Sequence, residues 1–210
     1  MSRKTPNIVL EDGLPEQWDG LPIYADYRNM VRFEQALCDD TLSPPQKISI
    51  GVRQLFDTEP RDAQQAAAMM DYLLWFYQCG RNPSENRAGQ SQNAERAYDF
   101  AQDAPCMLAA FWQSYGIDLA GVPFLHWWKF VALLEHLPED TRMAQLMGYR
   151  TMDTSQIKDT AQRRHYEELK RRFALTTVTR LKSVEELNAQ TRERVQRRFA
   201  QAKKAVESQP

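Results

Sequence analysis

Hydrophobic residues recur at three- and four-residue steps along most of the chain, which is the spacing of one face of an α-helix. The first clear series follows Asp26 and comprises Tyr27, Met30, Phe33 and Leu37. Similar series follow Ser43, Asp62 and Asp103, and each of these polar residues is of a type that caps a helix start. The pattern therefore predicts a mainly α protein, with four helices in its first 116 residues.

The ends of these helices are marked by glycine and proline. The third is expected to end near Gly80, and the fourth at Gly116 in a left-handed conformation. A fifth helix is expected over residues 123 to 137, because Pro138 cannot continue it. These assignments place the Trp127-Trp128 pair near the start of the fifth helix.

Two further helices are predicted before residue 175. One is expected over residues 139 to 147 and to stop at Gly148. Asp153 with Gln156 has the spacing of a capping box and is expected to begin the next, along an apolar stripe of Ile157, Ala161, Tyr166, Leu169 and Phe173.

The remaining segments differ in character. Asp19-Gly20 lies between short apolar stretches, which predicts a small N-terminal β-hairpin. Residues 80 to 95 are polar, lack large apolar side chains and are expected to form a mobile loop. Ser183 and Glu186 form a capping box before a narrow apolar stripe in a strongly charged segment, so a C-terminal amphipathic basic helix is predicted. We therefore expect a compact multi-helix domain over residues 1–175 and a helical extension over residues 176–210.

Charge is distributed unevenly behind a net charge of −1. Residues 1–156 hold 13 Lys and Arg against 21 Asp and Glu, whereas residues 157–205 hold 14 against 6. The basic region raises the hypothesis of nucleic-acid binding. Its interleaved glutamates and its lack of aromatic stacking platforms favour instead a helix that docks on an acidic or amphipathic protein partner.

No residue pattern for catalysis or for metal binding is present. The three cysteines and three histidines form neither a CxxC nor an HExxH motif, and no glycine-rich phosphate loop occurs. Asp99 and Asp103 have a spacing that suits paired acids or metal ligands, but a helix cap and a solvent-facing residue explain them as well. With no signal peptide and no transmembrane stretch, we expect a soluble, intracellular, non-enzymatic protein without a cofactor and without membrane association.

Protein contacts are the remaining expectation. Aromatic residues are common at protein interfaces, and basic side chains suit an acidic partner. Because adjacent helical residues point about 100° apart, at least one of Trp127 and Trp128 is expected to pack in the core. The candidate protein-binding residues are Trp112, Tyr115, Trp127, Trp128, Arg171, Arg172, Arg197 and Arg198.

Long sequence strings carry a family resemblance. YDFAQDA, AAFWQSYGIDL, LHWWKFVALLEHLPEDT, MGYRTMD and SQIKD closely resemble the gene-product-fifteen family of tailed phages and prophages, as do Leu21-Pro22-Ile23-Tyr24 and LLWFYQCG. The resemblance spans about residues 14–175. Members are typically encoded between the tail-tube and tape-measure genes, which implies a role in tail assembly.

The resemblance implies two alternative functions. One is a tail-assembly chaperone in the host cytoplasm that binds the tape-measure protein, the major tail protein or both, with homo-oligomers as a further expectation. The other is a structural tail or connector component of the virion. A nucleic-acid-binding regulator is a third reading that the basic region alone suggests.

Overall fold

The computed structural model describes residues 13–81 and 96–176, with the single positions 7, 9 and 193. The chain divides between Gly80 and Arg81 into two compact units. The predicted C-terminal helix lies outside the described residues, as does most of the predicted polar loop. The protein is mainly α, as predicted, with a small antiparallel hairpin near its N-terminus.

Between residues 13 and 80, the first unit contains the hairpin and three helices. Its elements are β1 Gln17–Trp18, β2 Leu21–Pro22, α1 Tyr27–Cys38, α2 Pro44–Phe56 and α3 Ala63–Tyr77. The second unit contains four helices and a short 3-10 helix within its described part. Its elements are α4 Ala104–Tyr115, α5 Trp127–Glu135, α6 Arg142–Thr151, the 3-10 helix Thr154–Gln156 and α7 Thr160–Arg172.

The predicted hairpin is confirmed. Trp18 pairs with Leu21 across the turn, and Asp19 and Gly20 both have positive φ angles, of 49° and 76°. Two positive φ angles in a two-residue loop give the turn whose twist matches the paired strands. Trp18 then packs edge-on against Phe56 of α2, at 5.3 Å between ring centroids.

The predicted starts of the first three helices are also confirmed. The carboxylate of Asp26 accepts a hydrogen bond from the backbone amide of Arg28 at 3.0 Å, and Asp62 accepts one from Gln65 at 2.7 Å. At the start of α2, the side-chain oxygen of Gln46 accepts a hydrogen bond from the amide of Ser43 at 2.9 Å. These bonds satisfy amides that the helices themselves leave without partners.

Gly51 on α2 lies close to side chains of both α1 and α3. A Cβ atom at this position would lie 2.6 Å from side-chain atoms of both Leu73 on α3 and Phe33 on α1. A side chain at this position would force Leu73 and Phe33 to move. The core around it is fully buried and consists of Met30, Phe33, Leu55, Met69, Leu73 and Phe76.

The predicted limits of the sixth helix were wrong at both ends. Thr141 caps α6, since its hydroxyl oxygen accepts a hydrogen bond from the amide of Ala144 at 3.3 Å, so the helix begins at Arg142. It continues through Gly148 to Thr151. Gly148 is exposed and helical, and a single helical glycine costs only about 1 kcal/mol, so it does not have to end a helix.

The predicted starts of the fifth and seventh helices were also misplaced. α5 begins at Trp127, where the Nδ1 atom of His126 accepts a hydrogen bond from the amide of Trp128 at 3.1 Å. Asp153 caps the short 3-10 helix, and α7 begins only at Thr160, capped by Asp159. Hydrogen bonds from the hydroxyl and the amide of Ser155 lower the pKa of Asp153.

Two glycine substitutions test this description of helix packing. Gly51→Ala is expected to lower the free energy of unfolding by about 1–3 kcal/mol, because the new methyl group would clash with Leu73 and Phe33. Gly148→Ala is the matched control, since no atom lies within 4 Å of its added Cβ atom. It is expected to raise stability by up to about 1 kcal/mol. Urea unfolding followed by circular dichroism measures both, and an equal effect of the two substitutions would contradict the packing at Gly51.

Candidate protein-binding surface

Helix α4 is unusual because no charged side chain occurs between Ala104 and Tyr115. Its inner side buries Met107, Ala110 and Phe111. The opposite side is exposed and largely apolar, with Gln113 as its one exposed polar side chain. We call the exposed apolar positions the α4 face, which comprises Ala104, Pro105, Leu108, Ala109 and Trp112.

The two large side chains of the α4 face are well exposed. Trp112 retains 61% of its accessible surface and Leu108, one helical turn earlier, retains 40%. A surface helix normally presents polar residues to water, and a helix that is apolar all round is normally buried. Isolated exposed apolar residues are common, but a contiguous apolar strip marks an interaction site. The α4 face is thus suited to bind an apolar surface, and it offers no group for catalysis.

A buried ion pair holds the N-terminal end of α4. Asp103, at the position before the helix, is 3% exposed, and Arg150 of α6 is 4% exposed. The two Nη atoms of Arg150 donate to the two carboxylate oxygens of Asp103 at 2.6 and 2.9 Å. The amide of Asp99 donates to the same carboxylate at 2.8 Å. Such a bidentate pair fixes both the distance and the orientation of the two groups.

Arg150 also binds two backbone carbonyls. Its Nη1 atom donates to the carbonyl of Ala97 at 3.0 Å, and its Nε atom donates to that of Phe173 at 2.7 Å. One buried guanidinium therefore joins the segment before α4, α6 itself and the C-terminal end of α7. This is the arrangement that a buried charge requires, because unpaired buried charges are strongly destabilising.

The two acids at Asp99 and Asp103 do not form the pair of acids that their spacing had suggested. Asp103 binds Arg150, whereas Asp99 caps a turn and accepts hydrogen bonds from the amides of Ala101 and Gln102, each at 2.8 Å. Burial would raise the pKa of Asp99, but these amides and the guanidinium of Arg96 outweigh it and lower that pKa. Both residues have structural roles in the second unit.

The C-terminal end of α4 is attached to α5. The hydroxyl of Tyr115 lies 2.9 Å from the carbonyl of Leu133 and 3.1 Å from that of His136, at the end of α5. Burial raises the pKa of this hydroxyl, so it remains protonated and able to donate. Tyr115, a predicted partner contact, is thus engaged within the unit, although its ring is partly exposed.

Trp127 and Trp128 were also predicted as partner contacts, and the structure corrects this. Each is 2% exposed. Trp127 stacks on Phe130 with 5.7 Å between ring centroids, and Trp128 packs near the ring of His126 at 6.2 Å. Both therefore belong to the core, where the sequence had required only one. A partner cannot contact them while the second unit keeps this fold.

Two of the four arginines predicted to contact a partner lie in the described part of the chain. Arg171 and Arg172 are exposed at the end of α7, and Arg172 lies over the ring of Phe173 at 5.5 Å. Arg197 and Arg198 lie outside the described residues. Helix α7 buries none of its residues.

Among residues 13–81 and 96–176, no group of three or more histidine, cysteine, aspartate or glutamate side chains is arranged to hold a metal ion. Within the same ranges, none of the helices has both the length and the apolar character needed to cross a membrane.

Comparison with known proteins identifies one family. The model of the family described as Bacteriophage Gp15 protein matches residues 10–175, which is most of the chain. Neither a curated protein nor a solved structure matches the chain.

The buried ion pair yields a stability prediction. Arg150→Met leaves the carboxylate of Asp103 buried without its counter-ion, and we expect a loss of about 3–5 kcal/mol in the free energy of unfolding. The double variant Arg150→Met/Asp103→Leu should lose much less than the sum of the two single variants, because no unpaired charge remains. Arg164→Met, at an exposed arginine of α7, is the control and should change stability by less than about 0.5 kcal/mol. Urea unfolding monitored by tryptophan fluorescence measures all four, and additive effects would show that the pair is not coupled.

Proposed function

The chain belongs to the Bacteriophage Gp15 protein family, and on that premise we propose that it is a non-enzymatic tail-assembly chaperone. In this proposal the α4 face binds the phage tape-measure protein, the major tail protein or both. Membership of a phage family supports a role in building the particle. The chaperone role is our inference from the exposed apolar surface together with the position in the tail module that the family resemblance implies.

The observation that carries this proposal is the exposure of Trp112 beside Leu108 on a helix without charges. Tryptophan is enriched among the few residues that dominate binding at protein interfaces. Burying a large apolar side chain contributes about 1.5–3 kcal/mol, so two such residues provide a useful fraction of a micromolar interaction. A surface of this kind suits an assembly factor, which has to cover apolar segments of a partner and release them later.

The size of the α4 face limits the kind of complex that it supports. A stable and specific interface buries roughly 800 Å² on each partner. One short helix with two large apolar side chains provides only part of that area. Binding through this surface is therefore expected to be reversible, unless several copies act along one partner and gain avidity. Reversibility agrees with a chaperone better than with a permanent component of the tail.

The charge distribution of α4 defines how this binding should respond to salt. Because the α4 face has no charged side chain, a partner that docks on it gains little from Coulomb attraction. The complex should therefore survive high ionic strength, which screens interactions between exposed charges. A complex formed mainly by the basic residues of α7 would instead weaken as salt is raised.

The test is co-expression with the tape-measure protein or the major tail protein of the same phage, followed by co-purification at moderate and high salt. Trp112→Ala is expected to weaken the complex by about 2 kcal/mol, or roughly 30-fold. Circular dichroism should show an unchanged fold, because the side chain is exposed. Gln113→Ala, at the next exposed position of α4, and Phe124→Ala, at an exposed aromatic residue outside that helix, are matched controls.

Two results would contradict the proposal. Equal binding by Trp112→Ala and by the wild type would remove the α4 face as the binding surface. The second result is that neither tail protein forms a complex and that mass spectrometry detects this chain in purified virions. The protein would then be a structural tail component rather than a chaperone.

A further inference from the structure

A second surface of the same unit is built around the ring of Phe173, at the C-terminal end of α7. The ring stacks on Tyr149 of α6 with 5.8 Å between centroids and planes inclined by 21°. The guanidinium carbon of Arg142 lies 4.6 Å from the same centroid, and that of Arg172 lies 5.5 Å from it. Two arginines, from two different helices, are thus held on one aromatic side chain by cation–π contacts.

The position of Phe173 is itself well fixed. Its carbonyl accepts the hydrogen bond from the buried Nε atom of Arg150, and its amide donates to the carbonyl of Leu169 at 3.0 Å. The ring therefore serves as a rigid platform. Arg142 and Arg172 lose part of their conformational freedom before any ligand arrives, which lowers the entropic cost of using them in binding.

The two guanidinium groups contact the same ring and are available to a ligand. Their central carbons are at most about 10 Å apart, because both lie over the same ring. Both side chains are exposed, and neither forms an ion pair with a carboxylate of the described residues. A guanidinium that contacts a ring through its face keeps the N–H donors at its edge for a ligand. Those donors match the two oxygens of a carboxylate.

We propose that Arg142 and Arg172 form a paired-guanidinium site that binds two carboxylates on an acidic segment of a partner protein. Acidic side chains three or four residues apart on a helix have Cβ atoms about 5–6 Å apart. From these positions, the two carboxylate side chains can extend to the two arginines. This site is separate from the α4 face in its chemistry, because it recognises charge rather than apolar surface. It therefore stands or falls independently of the proposed chaperone function.

The neighbouring charges favour protein carboxylates over a nucleic-acid backbone. Glu139 and Asp140 are exposed just before α6, and Glu167 and Glu168 are exposed on α7. A nucleic acid gains affinity by contacting many phosphates along a continuous basic surface. Acidic residues interspersed with the arginines interrupt such a surface, whereas two localised carboxylates need only the pair itself.

Helix α7 supplies an internal control for this site. Arg164 and Arg171 are also exposed and carry the same charge, and within the described residues neither forms a cation–π contact like that of Arg172. Removing these two arginines changes the net charge by as much as removing the pair. A difference between the two double variants therefore reports the geometry at Phe173 rather than overall electrostatics.

The probe is a synthetic helical peptide with two glutamates four residues apart, compared with the same peptide carrying glutamines. Binding to the full chain is followed at low salt by fluorescence anisotropy and by NMR shifts of the arginine Nε–H groups. Arg142→Gln/Arg172→Gln is expected to weaken binding of the glutamate peptide at least tenfold, whereas Arg164→Gln/Arg171→Gln should weaken it less than threefold. Arg142→Lys/Arg172→Lys keeps the charge but loses the fork of donors and should fall between them.

Three outcomes would overturn the proposal. The first is an equal loss of affinity in the two glutamine double variants, which would indicate charge attraction alone. The second is equal binding of the glutamate and glutamine peptides, or binding of neither. The third is a stronger interaction with a single-stranded oligonucleotide than with the glutamate peptide, which would assign the arginines to nucleic-acid binding. None of these readouts depends on the tape-measure or major tail protein.

Discussion

The second unit depends on the burial of one guanidinium. Arg150 would be strongly destabilising alone, since moving an ionised group out of water costs several kcal/mol. Asp103 neutralises it, and the carbonyls of Ala97 and Phe173 accept its remaining hydrogen bonds. A charge that demands this many partners admits few alternative arrangements of the elements that provide them.

Both proposed binding surfaces rest on that same side chain. The carboxylate of Asp103 directly precedes α4, so Arg150 holds the helix that carries Leu108 and Trp112. The carbonyl of Phe173 is the other anchor, and the ring of this residue carries the arginine pair. A partner on either surface would therefore contact side chains whose backbone supports are already fixed. Binding to preorganised groups loses less entropy than binding to mobile ones.

Local signals predicted much of the fold, because they depend on residues close together in the chain. Asp26, Asp62 and the Asp19-Gly20 turn all satisfy backbone requirements within three residues of themselves. The predicted limits of α6 were wrong for two reasons. Thr141, and not a residue before Glu139, caps the helix, and nothing at Gly148 forces the helix to end. A local sequence pattern does not distinguish well between neighbouring positions for a helix end, because their free energies differ by only about 1 kcal/mol.

Long-range contacts could not be predicted in this way. Asp103 and Arg150 are 47 positions apart, and nothing in either neighbourhood identifies the other as its partner. The sequence does not reveal the pairing of Arg142 with Arg172 either. The two residues share a contact with Phe173 only when α6 and the end of α7 are adjacent. The family resemblance covers these residues, but it does not say which of them face one another.

The tryptophans show why burial has to be known before a binding site is chosen. By composition alone Trp127 and Trp128 formed the more conspicuous candidate, yet both are buried, whereas the single Trp112 is exposed. The periodicity of α4 does not reveal this, because apolar residues occupy most of the helix and its polar residues Gln113 and Ser114 lie only near its C-terminal end. Substituting Trp127 or Trp128 would remove core packing and cost about 3–5 kcal/mol of stability. A loss of binding in those variants would report unfolding, so the exposed α4 face is where folding and binding can be separated.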